Sequence, residues 1–151
     1  MHVSARVDYA LRAVAELANA AGRSVKAEQI ASAQGIPLRF LENILLELKH
    51  DGILATQRGS AGGYALARPP SEITIADVIR ALDGPLANIK GERPEAVGYV
   101  GPARPLQDVW IAVRASLRAV LEHVTFEDLV HDRLPEEVRA LTQNADAWVR
   151  R

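Results

Sequence analysis

The chain has no cysteine among its 151 residues. Disulfides, a thiol nucleophile and thiolate metal ligation are therefore excluded. Aromatic residues make up only 5% of the chain, so its core must be mostly aliphatic. Neither sign of charge dominates: 18 Lys and Arg stand against 19 Asp and Glu. No strong overall field draws in a polyelectrolyte, and only a local basic surface could do so. No apolar run is long enough to span a bilayer. No secretory leader is visible either, because His2, Ser4, Arg6 and Asp8 fall where one would be apolar. The expectation is a cytoplasmic protein without a membrane partner. The four histidines, His2, His50, His123 and His131, are scattered and form no HxxxH or HxxE pair. No nucleophile–base pair, carboxylate dyad or metal triad stands out, so the chain does not read as an enzyme and no cofactor is expected.

What is present suits one globular unit with an appended element. Hydrophobic residues make up 48% of the chain and charged residues 25%, enough to bury a core. Val7, Leu11, Val14, Ala18 and Ala21 recur at helical spacing, with Ser4 placed to cap and Gly22 to stop the first helix. A short helix over 27–34 buries Ile30 and Ala31 and closes at Gly35. Pro37 opens a third helix over 38–50, with Leu38, Leu41, Leu45 and Leu48 inward and Gly52 at its end. Residues 53–57 and 63–67 read as paired strands around a thin tip, Arg58–Gly62.

Thr74, with Asp77 three residues on, caps a helix carrying Ile75, Val78, Ile79 and Leu82. Residues 84–105 hold four glycines and four prolines and break all periodicity. Such a loop is usually functional or mobile. A long helix over 106–123 follows, with Trp110 on it. A short one is capped by Thr125, and a last one over 135–149 carries Val138, Leu141, Ala145 and Trp148 at helical spacing.

The stretch QRGSAGGYAL, residues 57–66, carries the functional reading. A phosphate loop should join a strand to a helix and contain GxxxxGK[ST], and this stretch does neither. The alternatives are a plain flexible turn and the wing of a winged helix-turn-helix. The second explains an arginine followed by glycines. A helix fits the DNA major groove, and a slim hairpin beside it lies along the backbone with an arginine for the minor groove. Residues 1–68 hold 8 basic against 6 acidic side chains, a weak tilt in the same direction.

FLENILLELKHDGILATQRGSAGGYALARPPSEITIADVIRAL, with DYALRAVAELA at 8–18 and VTFEDL at 124–129, resembles the Rrf-two family of bacterial winged-helix transcription regulators. The similarity runs over about residues 3–130, and its combined RGxxGGY and IT…DVI motifs are specific. The fold class expected is mainly α with a small β-hairpin, a winged helix-turn-helix plus a long C-terminal dimerisation helix. The expected division is a DNA-binding domain over 1–83, a loop over 84–105 equivalent to the family's sensor loop, and dimerisation and C-terminal helices over 106–151. The resemblance implies a homodimer on a partly palindromic operator in double-stranded DNA, acting as a repressor, with helix 106–123 as the main seam.

Candidate base-reading residues are Arg39, Glu42 and Asn43, which lie off the leucine stripe of the third helix. Arginine pairs with guanine, asparagine with adenine, and glutamate accepts from cytosine. Arg58 is the strongest wing candidate. Thr56, Gln57 and Ser60 could donate to phosphates, while Gly59, Gly62 and Gly63 act through backbone shape. Tyr64 is expected to pack under the wing. Ser4, Arg6, Tyr9, Lys26 and Gln29 are further phosphate candidates, although each could equally be an ordinary surface residue.

Many relatives ligate an iron–sulfur cluster with three cysteines in the loop equivalent to 84–105. This loop has none, so no conventional cluster is expected. Asp8, at a place where some relatives offer an acidic ligand, is better explained by the helix dipole. The remaining input is a small-molecule or protein effector, with Tyr99, Trp110 and the loop as one place for a pocket and a plain core role for Trp110 as the other. A protein-interaction module with a winged helix that binds no DNA is the alternative reading.

Overall fold

A computed structural model describes residues 1–150; Arg151, the last residue of the expected segment 106–151, lies outside the described residues. The elements run α1 (Ala5–Asn19), α2 (Ala27–Gln34), α3 (Leu38–His50), β1 (Leu54–Gln57), β2 (Gly63–Leu66), α4 (Ile75–Asp83), α5 (Leu106–Leu121), α6 (Phe126–Val130) and α7 (Glu136–Gln143). The architecture is mainly helical with one antiparallel hairpin, as expected from the sequence.

The core is aliphatic, as the shortage of aromatics requires. Val14 and Leu17 of α1, Ile30 of α2, and Leu41, Ile44, Leu45 and Leu48 of α3 are buried together with Ile53, Ile73 and Val78. The single large aromatic in this cluster is Phe126, fully buried and supplied by α6. It arrives because residues 124–126 pair with the entry to α4. Ile75 N–H donates to the Val124 carbonyl at 3.0 Å and Phe126 N–H to the Ile73 carbonyl at 3.0 Å. The two helices that start there carry matching capping boxes: Thr74 with Asp77, and Thr125 with Asp128. Part of the expected segment 106–151 therefore completes the core of residues 1–83.

Three expectations need correction. The first helix ends at Asn19, and Ala21 is exposed with φ 52°, so it belongs to the left-handed turn rather than the buried face. The buried face is instead Val7, Ala10, Ala13, Val14, Leu17 and Ala18. The last helix does not run over 135–149: α7 stops at Gln143, Asn144 becomes extended and caps a single 3-10 turn over Ala145–Trp148. Of its expected stripe only Val138 is buried. Asparagine's side chain accepts from the Asp146 N–H at 3.0 Å, and that local competitor ends the helix. The long helix also ends two residues early, at Leu121, capped by Glu122.

The loop 84–105 is less irregular than its composition suggests. Ile89 and Glu92 exchange backbone hydrogen bonds of 2.8 and 3.1 Å across a Lys90–Gly91 tip. Single 3-10 turns form at Pro94–Ala96 and Gly101–Ala103. Gln107 of α5 holds the loop by donating to the Val97 carbonyl at 2.9 Å.

Candidate nucleic-acid interface

The candidate surface is built on α2 and α3, joined by Gly35 in the left-handed conformation at φ 62°. Leu41, Ile44, Leu45 and Leu48 anchor the inner face of α3, with Leu38 half-buried and Leu46 exposed. The outer face is left with Arg39, Phe40, Glu42 and Asn43, all exposed. Arg39, Glu42 and Asn43 make no hydrogen bond or ion pair among the described residues, so their polar groups are available for a ligand. Phe40 was not among the expected contacts. It is 64% exposed, which is costly for a phenyl ring without a partner. The signal was legible, since Phe40 falls one residue out of phase with the leucine stripe.

The wing follows directly. Leu54 pairs with Leu66, Ala55 with Ala65, Thr56 with Tyr64 and Gln57 with Gly63. A third segment joins: Val25, between α1 and α2, exchanges two 2.8 Å hydrogen bonds with Tyr64. Ser24 next to it donates to the Gln57 Oε1 at 2.7 Å, which leaves the Gln57 amino group without a partner among the described residues. Tyr64 is half-buried against the core, as expected.

Two glycines are required by contact. A Cβ on Gly62 would stand 2.6 Å from the Gln57 carbonyl oxygen and 2.7 Å from that of Gly59. A Cβ on Gly63, whose φ is +152°, would stand 2.5 Å from the Val25 carbonyl oxygen. Backbone crowding of this kind admits glycine alone. The tip itself, Arg58, Gly59 and Ser60, is exposed, and so is Thr56. Arg58 has no ion pair among the described residues.

The remaining candidates divide. Ser4 caps α1 by accepting from the Val7 N–H at 3.2 Å. Lys26 is exposed at the start of α2. The Lys26 N–H donates to the Gln29 Oε1 at 3.1 Å, so Gln29 serves first as a helix cap. Arg6 is committed to protein. It pairs with Glu47 of α3 and donates to the Leu82 carbonyl at 3.4 Å. Tyr9 is half-buried, with the Arg12 guanidinium 5.0 Å from its ring centroid.

Three short helices followed by a hairpin whose second strand is stitched to the α1–α2 connection define a winged helix-turn-helix protein. More narrowly, the chain belongs to the Rrf2 family: residues 3–132 match the family described as iron-dependent transcriptional regulators. It is 48% identical to an HTH-type transcriptional regulator of Mycobacterium tuberculosis, over 95% of this chain and 90% of that protein. Among solved structures it resembles CymR, the global cysteine regulator of B. subtilis, with a TM-score of 0.73 and 29% identity over 87% of this chain and 98% of that one. T. potens IscR matches with a TM-score of 0.68 and 27% identity, over 100% of this chain and 93% of that one. These are transcriptional regulators, not enzymes.

The iron in the family description does not fit the residues of this chain. A cluster needs thiolates, and the sequence has none. No group of three or more His, Asp or Glu among the described residues is placed to hold a metal ion. Within the loop 84–105 the carboxylate of Glu95 is already paired with Arg114 of α5. No helix among the described residues is long and apolar enough to cross a membrane.

Proposed function

We propose that this protein is a sequence-specific DNA-binding regulator that acts as a homodimeric repressor without an iron–sulfur cluster. The observation that carries the reading is the pairing of an unengaged polar face on α3 with an exposed, unpaired Arg58 on a wing whose shape two glycines enforce. Arg39, Glu42 and Asn43 read base edges in the major groove, with Phe40 against a thymine methyl. Arg58 enters the minor groove, while Thr56, the Gln57 amino group, Ser60 and Lys26 meet phosphates. Ser4 and Gln29 contribute mainly by shaping helix ends, and Arg6 by holding α1 to α3.

A second copy of the chain covers α5. That helix is amphipathic in sequence yet has no buried residue. Val109, Val113, Leu117 and Val120, with Met1 at the edge, line an open apolar groove of about 630 Å³. A two-fold pairing along this groove would set two recognition helices on matching half-sites, hence a partly palindromic operator.

Selection of binding sequences from a random duplex pool, followed by fluorescence anisotropy, tests the reading. The expected result is one enriched palindrome. Arg58→Ala should weaken binding to it with a salt slope lower by about two, one for each protomer. If no sequence is enriched and no duplex is bound even at low salt, the chain is a winged-helix module for protein contacts instead.

A further inference from the structure

On the opposite side of α5 from the apolar groove lies a second cleft of different chemistry. It has a volume of about 410 Å³ and is floored by the turn Gly84–Ala87. Four arginines line it: Arg80 from α4, Arg93 from the loop, and Arg114 and Arg118 from α5. Two carboxylates answer them. Glu95 pairs with Arg114. Glu122 pairs with Arg80 and lies 3.6 Å from the Nε of Arg118. Arg93 makes no close ion pair among the described residues, although its charge reaches Glu95.

Even with both carboxylates ionised, two guanidinium charges remain uncompensated in one concave place. Arg114 is the costly member, since its side chain is only 17% exposed, and a charge withdrawn from water needs compensation. Surface arginines with nothing to bind would spread apart. Here three separate segments of the chain bring them to one cleft, and Pro85, Leu86 and Ala87 supply an apolar wall that strengthens any charge interaction inside.

We infer that the Arg80–Arg93–Arg114–Arg118 cleft binds a small organic dianion. The ligand carries two oxyanion charges, as a sugar phosphate or a dicarboxylate does, and guanidinium forks engage such groups bidentately. Its charge matches the surplus, and the volume suits a metabolite rather than a polymer. No residue lines both the cleft and the groove, so a second copy seated on the groove need not close the cleft. Occupancy would draw Arg93 inward and compete with Glu95 for Arg114, which moves the loop against both α4 and α5. Regulation of DNA affinity through this movement rests on the DNA-binding reading above; the site itself does not.

Isothermal titration calorimetry on the full-length protein, at fixed ionic strength and without DNA, tests the site. Succinate and glucose 6-phosphate, both dianions, are the two probes, with chloride as the matched control. The expected result is saturable binding of one probe tighter than about 1 mM, which also decides between carboxylate and phosphate. Arg93→Ala breaks no close ion pair and should fold normally. It should weaken that binding roughly tenfold or more. If neither probe saturates in this range, or if Arg93→Ala and Arg118→Ala leave binding unchanged, the inference is wrong. Since the titration contains no DNA, that failure would leave the recognition surface untouched. A failed sequence selection would likewise say nothing against the cleft.

Discussion

The backbone of Gly63 passes so close to Val25 that a Cβ there would stand 2.5 Å from the Val25 carbonyl oxygen. That oxygen is the one that accepts from the Tyr64 N–H. The wing is thus positioned by the connection between the first two helices, not by its own two strands alone. Gly63→Ala should force these segments apart and cost about 1–3 kcal/mol of stability. Chemical denaturation should show the loss, and operator binding should weaken while the far-ultraviolet circular dichroism of the helices persists. Unchanged affinity and unchanged stability would contradict the role assigned to this contact.

Asn43 is exposed and unengaged on α3. Asn43→Ala should cost about 1–3 kcal/mol per half-site and relax the preference at one base pair in each. Sequence selection repeated with the variant checks this. Uniform weakening across all sequences would instead mark Asn43 as a phosphate contact.

Val113 sits in the apolar groove of α5 and is 42% exposed. A carboxylate at that position would be stranded in an apolar seam. If the groove is the proposed two-fold seam, the wild-type protein should sediment as a dimer and Val113→Glu as a monomer that binds a full palindrome more weakly. A variant that still sediments as a dimer would place the seam elsewhere.

Glu95 and Glu122 should make the fold sensitive to acid. Glu95 is held below the ordinary carboxylate range by a hydrogen bond to its own backbone and by Arg114. Glu122 is held there chiefly by its hydrogen bond with Arg80. A carboxyl whose pKa falls on folding stabilises the folded chain above the ordinary carboxylate range, and the contribution disappears as pH drops through the folded value. Thermal melts should therefore fall on acidification. In a Glu95→Gln/Glu122→Gln variant the fall should be shallower, with the difference from wild type largest at neutral pH. Parallel curves would show that these pairs contribute nothing to stability.

The local elements were readable without coordinates because the forces that set them are local. Ser4, Thr74 and Thr125 satisfy helix ends within three residues of themselves, and the leucines of α3 declare their buried face by spacing. The exposed Phe40 was equally visible as a residue out of phase. Where a short-range competitor was overlooked, the expectation failed: the Asn144 side chain ends α7 although apolar residues continue at helical spacing.

Alone, then, the sequence determined the helix order, the glycine-shaped wing, the family and the exclusion of thiolate ligation, because each depends on residue type or on neighbours a few positions away. Only the tertiary structure decided which polar side chains are already spoken for. Arg6 is held by Glu47, Gln57 by Ser24 and Glu95 by Arg114, pairs formed across 41, 33 and 19 residues. It also decided that Phe126 returns to complete the core and that four arginines meet in one cleft. Contacts at such separations follow from how whole helices pack, and no local periodicity encodes them.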